Sequence, residues 1–151
     1  MSDLFQPFQL GPITLANRVV MAPLTRSRAE AGNVPGPLMV EYYAQRAGMG
    51  LIIAEATQVS ATAQGYPSTP GLHTAEQVAG WRKVTDAVHA AGGRIFLQIW
   101  HGGRACHPLF NDGAQPVGPS PIAITNSELH TPDGKKPYVV PRELRDDELP
   151  A

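Results

Sequence analysis

Val19-Val20-Met21-Ala22-Pro23-Leu24-Thr25-Arg26 is the stretch from which the fold can be read. Its first four residues, Val19 to Ala22, are an apolar run of strand length, and they pass directly into a proline, a leucine and a hydroxyl. Such an ending suits a βα unit, in which the strand is buried and the turn after its C-terminal end carries polar chemistry. Two later segments repeat the plan: Leu51-Ile52-Ile53-Ala54-Glu55-Ala56-Thr57 and Arg94-Ile95-Phe96-Leu97-Gln98-Ile99-Trp100-His101. Three apolar strands that each end in polar or aromatic side chains predict a parallel α/β sheet or barrel with one functional rim.

The flanking residues fit that plan. Apolar and polar residues alternate on either side of Gly11-Pro12, which predicts a small N-terminal hairpin over residues 4–16. Residues 27–36 are polar and glycine-containing, a loop, and Pro37 suits the first position of a helix. Leu38, Val40, Tyr42, Tyr43 and Ala47 follow, with Gly48 and Gly50 to end it. Thr74 and Gln77 have the spacing of a capping box. Val78, Trp81, Val84 and Val88, three to four apart, predict the buried face of a second helix, and Gly92-Gly93 its stop.

Beyond Gly102 the pattern changes. Proline recurs at 108, 116, 119, 121, 132, 137 and 141, and no helical period appears. A long irregular excursion inside a compact domain is usually functional or disordered. Here Val117, Ile122, Ile124 and Tyr138-Val139-Val140 predict short extended pieces capping the rim. Leu144 to Ala151, with Asp146, Asp147 and Glu148, has the acidic character of a helix's first turn.

Composition excludes several classes of function. The chain has 151 residues, 42% hydrophobic and 17% charged, with a net charge of -1. That is far from the basic balance of a nucleic-acid binder. No apolar run approaches the roughly 18 residues of a membrane span, and no basic-then-apolar leader opens the sequence. One cysteine, Cys106, allows no internal disulfide, so a cytoplasmic setting is expected.

A (β/α)8 barrel needs roughly 250 residues or more, and this chain has the length for about three of its units. One helical turn has no stability alone, and three parallel strands leave bare sheet edges. The expectation is a TIM-barrel piece, residues 1–151 being the N-terminal part of one domain. Residues 1–16 would be the hairpin, 17–101 three strands and two helices, 102–141 the capping loop, and 142–151 the start of a further helix.

Taken together, the rim segments resemble a known family. Ala22-Pro23-Leu24-Thr25-Arg26, Glu55-Ala56-Thr57-Gln58-Val59-Ser60, Gly65-Tyr66 through Pro70-Gly71-Leu72, and Gln98-Ile99-Trp100-His101-Gly102-Gly103-Arg104 resemble the Old Yellow Enzyme family of FMN-dependent ene-reductases. Pro116-Val117-Gly118-Pro119-Ser120 and Pro141-Arg142-Glu143-Leu144 fit it as well. The resemblance implies that Pro23, Leu24 and Thr25 line the flavin, with the Thr25 hydroxyl donating to the ring's carbonyl edge near the reactive N5. A donor there stabilises negative charge on the reduced ring and tunes its potential, which makes Thr25 the candidate catalytic residue. Ala56 would lie against the ring, where a small side chain permits close approach. Gln98, able to donate and accept, suits the mixed pyrimidine edge. Tyr66 and Trp100 would wall the substrate side, and Arg26 is a further cofactor contact.

The sequence also departs from the family. The pair of substrate-activating donors after the fourth strand, the proton-donating Tyr behind them and the phosphate-binding region of the last two strands have no counterpart here. Simpler readings stand beside the sharper ones: Thr25 as a turn cap, Tyr66 and Trp100 as core aromatics, Trp81 as core. His101 reads as a packed structural residue, His107 as a loop residue, Cys106 as a bystander, Arg104 as an ion-pair partner and Glu55 as structural. Gln98 inside an apolar strand is costly unless paired. No His or Cys spacing suggests a metal.

Two accounts follow. In the first, the chain is the N-terminal piece of an ene-reductase acting on α,β-unsaturated carbonyl or nitro compounds with NADPH or NADH. A second polypeptide supplies the remaining strands, and the chain is not competent alone. In the second, it is a truncated or self-associating module without flavin. An intact enzyme cut at a flexible loop is a third origin for the same sequence.

Overall fold

The computed structural model describes residues 3–149. They form two compact units, one of residues 3–57 with 68–99 and the other of residues 58–67 with 100–149.

In the first unit, β1 (Phe8–Leu10) and β2 (Ile13–Leu15) pair antiparallel, Phe8 opposite Leu15 and Leu10 opposite Ile13. Gly11 takes the turn at φ +54°, where a side chain would be strained. Next come β3 (Val20–Met21), α1 (Pro37–Ala44), β4 (Leu51–Gln58), α2 (Ala75–Ala90) and β5 (Ile95–Trp100). The sheet order is β3-β4-β5. β3 and β4 run parallel, Val20 beside Leu51 and Met21 beside Ile52. β5 joins the other edge of β4 through the Ile52 N–H donating to the Arg94 carbonyl at 2.8 Å.

β3 is shorter than the apolar run that predicts it. Pro23 has no N–H to donate to a ladder, and regular pairing stops at Met21. Asn17 fixes where the sheet begins. Its side-chain oxygen accepts from the Val19 and Gly50 amides at 3.0 and 2.8 Å, while its amide donates to the Gly48 carbonyl. The entries to β3 and β4 are thereby held together.

The two helices pack on each other and on the sheet. Met21, Met39, Tyr43, Ile52, Ala54, Trp81, Val84 and Val88 form the core. Pro37 opens α1, whose regular turns end at Ala44 rather than near Gly48. From there i→i−3 bonds, Arg46 to Tyr43 and Ala47 to Ala44, tighten the chain. In α2 the Thr74 hydroxyl accepts from the Gln77 amide and the Gln77 side chain accepts from the Thr74 amide. Its buried stripe is Gln77, Gly80, Trp81, Val84 and Val88, while Val78 is 46% exposed. The stripe is rotated away from Val78 because Gly80 lies against Pro35, where a Cβ would come to 2.8 Å from the ring.

The second unit contains no α-helix among its described residues. Short 3-10 turns at Gly103–Ala105 and Pro108–Phe110 precede β6 (Val117–Gly118). β7 (Glu128–Thr131) and β8 (Gly134–Pro137) make an antiparallel hairpin around Pro132-Asp133. β9 (Arg142–Glu143) pairs parallel to β6. Of the residues read as extended, only Val117 lies in a strand; Ile122, Ile124 and Tyr138 to Val140 do not. The helix start read over 142–151 is replaced by β9 and one 3-10 turn, Asp146–Glu148, while residues 150 and 151 lie outside the described residues. Arg142 explains the difference: it binds Glu148 through both guanidinium nitrogens at 2.7 and 2.9 Å, folding the segment back on itself.

Candidate functional site

The sheet order puts the C-terminal ends of three parallel strands side by side, and the candidate residues read from the sequence in the first unit lie on or just after them. Pro23, Leu24 and Thr25 follow β3. Thr25 is exposed, and Leu24 is 53% exposed, unusual for a leucine beside a core strand. Ala56 lies in β4, buried and small. Gln98 lies in β5 and is exposed. The cost argument for Gln98 therefore does not apply in this structure: the carboxamide faces outward and needs no buried partner.

What holds Thr25 in place comes from β4 and α1. Beyond Met21 the chain has no ladder, yet the Arg26 amide donates to Glu55 Oε2 at 3.1 Å. Glu55 is fully buried. Its Oε1 accepts from the Tyr43 hydroxyl at 3.1 Å, and the same hydroxyl accepts from the Glu55 amide at 2.9 Å. Burial pushes the Glu55 carboxyl above its usual range, opposed by donation from the Arg26 amide and the Tyr43 hydroxyl. Burial also drives the Tyr43 phenol far up, reinforced by the neighbouring Glu55 charge. The hydroxyl therefore stays protonated and able to donate. Arg26 sends its guanidinium over the Tyr42 ring, 5.6 Å from the centroid.

In the second unit Tyr66 and Trp100 stack on each other, ring centroids 5.7 Å apart and planes within 7°. Tyr66 remains 43% exposed, so the pair is a surface platform rather than core. Gly65 permits the stack: a Cβ there would stand 2.6 Å from Trp100 Cη2. Two of the five histidines, His101 and His107, are turn caps. His101 is exposed, not packed, and its Nδ1 accepts from the Gly103 amide at 2.9 Å. His107 is buried and caps Leu109 in the same way at 3.2 Å. Arg104 donates to the Ile122 carbonyl at 3.4 Å, where a carboxylate partner is expected from the sequence. Cys106 is buried, its thiol pushed up to about 11 by burial, which leaves it protonated and unreactive. No cluster of metal-ligating side chains occurs among the described residues, and no helix there is long and apolar enough to cross a membrane.

The structure thus gathers Thr25, Ala56 and Gln98 on or just after neighbouring strands of one sheet, and Tyr66 with Trp100 on one another. Glu55, read from the sequence as structural, is the neighbour bonded to the segment after β3, and Tyr43, read only as a helix residue, is bonded to Glu55. The available signal was a carboxylate between alanines inside an apolar strand, which must find buried donors. The donor set fits a flavin's pyrimidine edge. A hydroxyl and a carboxamide are both accessible, supply donors and an acceptor, and have a small side chain between them in strand order.

Comparison with known proteins agrees with this geometry. Residues 3–150 match the family model described as NADH:flavin oxidoreductase / NADH oxidase. The chain is 49% identical over 148 residues to 12-oxophytodienoate reductase 1 of Oryza sativa subsp. japonica, covering 97% of this chain and 38% of that protein. Among solved structures it resembles the old yellow enzyme homologue from Zymomonas mobilis, with a TM-score of 0.92 at 50% identity over 97% of this chain and 41% of the other. Morphinone reductase in complex with tetrahydroNAD superposes with a TM-score of 0.91 at 52% identity, covering 98% and 42%. The chain spans about two fifths of the length of these relatives. With its family model matched nearly end to end and its three-stranded sheet superposing on these (β/α)8 barrels, the chain belongs to the FMN-dependent NADH:flavin oxidoreductase family, that of Old Yellow Enzyme.

Proposed function

We propose that this chain is the flavin-facing N-terminal part of an ene-reductase barrel whose remaining strands come from a second polypeptide. The assembled barrel reduces the C=C bond of α,β-unsaturated carbonyl or nitro compounds. The observation that carries this reading is that Ala56 and Gln98 lie on neighbouring strands β4 and β5 while Thr25 follows β3 on the other side of β4. FMN, held by Pro23, Leu24, Thr25, Ala56 and Gln98, would supply the redox chemistry that links NADPH or NADH to the substrate's C=C bond.

The chain's own residues bind and orient. The Thr25 hydroxyl donates a hydrogen bond to the carbonyl edge of the ring, where reduction places negative charge, and so makes reduction more favourable. Gln98 reads the pyrimidine edge with its carboxamide, and Ala56 leaves room for the ring. The Tyr66–Trp100 pair offers a flat aromatic surface of the kind a conjugated, planar substrate stacks on. The donors for the substrate carbonyl, the proton donor to its α-carbon and the phosphate anchor belong to the partner chain. Exposed apolar groups on β5, Phe96 at 52% and Ile99 at 67%, support a partner that covers this edge. The assembled enzyme is expected to be cytoplasmic.

Co-expression with a chain carrying the missing strands tests this. Yellow protein containing both masses, with NAD(P)H-dependent reduction of cyclohexenone, is the expected result. A colourless, monodisperse homodimer of this chain alone would instead make it a self-associating module without flavin.

A further inference from the structure

Thr25 sits four residues past the end of β3, in a segment with no regular structure. A hydroxyl that tunes a cofactor has to be held to within a fraction of an ångström, yet no ladder bond reaches it. The residue that follows it is the one secured. Glu55 Oε2 accepts from the Arg26 amide at 3.1 Å, directly after Thr25. Ser27 has φ +52°, a left-handed conformation that a non-glycine residue keeps only when its surroundings impose it. The carboxylate is in turn fixed by Tyr43, whose hydroxyl donates to Oε1 and accepts from the Glu55 amide. α1 is thereby tied to β4, and β4 to the loop after β3, with Glu55 and Tyr43 both fully buried.

We propose that Glu55, held by Tyr43, is the positioning residue for Thr25, clamping the Arg26 amide that follows it so that the hydroxyl is preset for the flavin. This deepens the ene-reductase reading and rests on it. Neither Glu55 nor Tyr43 touches the cofactor. Both act through the backbone of residue 26.

The test is a mutant cycle in the co-assembled barrel, reading the FMN dissociation constant by fluorescence and the flavin reduction potential. Glu55→Gln leaves one acceptor oxygen where the Arg26 amide and the Tyr43 hydroxyl converge. It should raise the dissociation constant roughly tenfold, the scale of one hydrogen bond to a charged group, and lower the potential. In a Thr25→Ala background the same change should add nothing, because the hydroxyl it positions is gone. A residue serving only stability would lower the melting temperature equally in both backgrounds and leave the potential alone. If Glu55→Gln does not assemble, Tyr43→Phe carries the test, with a smaller effect in the same direction. FMN-bound wild type with unchanged affinity and potential in these variants overturns the clamp alone. A wild-type assembly that never takes up FMN overturns the ene-reductase reading first, and the assignment to Thr25 with it.

Discussion

The two units of this chain are stabilised by different means. Residues 3–57 and 68–99 enclose an apolar core in which Tyr43, Ile52, Val84 and Val88 have no solvent exposure and Met39 has 1%. Residues 58–67 and 100–149 bury few hydrophobic side chains, namely Ala63, Cys106 and Leu129. They bury Gln58, Gln64, His107, Asn111 and Thr131 as well. Their order comes from side chains bonding nearby backbone: His107 to the Leu109 amide, Thr131 to the Gly134 carbonyl, Gln115 to the Val140 carbonyl. Area-dependent burial stabilises one unit; short-range polar contacts, each worth about 1 kcal/mol net, stabilise the other. A single truncation should therefore do most harm in the first unit, and backbone geometry should matter most in the second.

The largest effect is expected at Trp81. It is 4% exposed, lies 6.1 Å from Tyr43 between ring centroids, and donates its indole N–H to the Gly71 carbonyl at 3.1 Å. Trp81→Ala should cost about 3–5 kcal/mol, read by urea denaturation of the chain followed at the α2 helical signal. A cost below about 1 kcal/mol would mean that the first unit does not depend on its core.

Gly65→Ala is the counterpart in the second unit. The new methyl would meet Trp100 at 2.6 Å, so the stack must open. The expected cost is about 1–3 kcal/mol, with loss of the near-ultraviolet dichroism of the Tyr66–Trp100 pair and an unchanged far-ultraviolet spectrum. Retention of the dichroic signal would show that the stack tolerates displacement and that Gly65 is not its spacer.

These regions also differ in how far their sequences announce them. In the first unit the apolar runs, the proline at position 37 and the Thr74–Gln77 pair each have a local physical cause, so strands, helices and cap are readable before any tertiary contact forms. The errors are small shifts with tertiary causes, such as Val78 turned outward by the fit of Gly80 on Pro35. The second unit lacks periodicity, and proline counting alone conceals the β7–β8 hairpin. Its signal was Pro132-Asp133-Gly134, with Gly134 at φ +88°. The site divides likewise. The roles read for Thr25, Ala56 and Gln98 come from the family resemblance of the rim segments, whereas the Tyr43–Glu55–Arg26 connection spans three elements and has no signature in any one of them.

Thr74→Ala should cost about 1 kcal/mol, the usual range for an N-cap. It removes the hydroxyl that accepts from the Gln77 amide at 3.2 Å. Gln77 moderates the loss, because its side chain still accepts from the His73 and Thr74 amides at 2.8 and 3.1 Å and donates to the Gly32 carbonyl. The check is amide exchange: Gln77 and Val78 should lose protection while Val84 to Val88 keep theirs. If exchange accelerates uniformly along α2, the cap supports the whole helix rather than its first turn.

The smallest effect is set by pH, and the two units should respond in opposite directions. Hydrogen bonding to Arg142 first, and to the Arg145 amide second, holds the Glu148 carboxyl down at about 2. A carboxylate lowered in the folded state contributes stability that is fully present above its ordinary value of 4.5 and is lost as pH falls towards 2. Glu55 has the reverse sign. Burial raises its folded value, so its contribution is present below 4.5 and is lost as pH rises through the raised value. Mild acid should therefore relieve the buried carboxylate of β4, whereas the Arg142–Glu148 turn should loosen only as pH falls towards 2. The turn is solvent-exposed, so its contribution is small and screened by salt. Side-chain carboxyl shifts followed by NMR from pH 6 to about pH 2 at low ionic strength test both signs. Glu148 should remain ionised well below pH 4.5, and added salt should bring it back towards the ordinary value. If instead Glu55 titrates below Glu148, the buried clamp is more strongly bonded than its geometry indicates, and the contrast between the two units reverses at the place where it bears most on function.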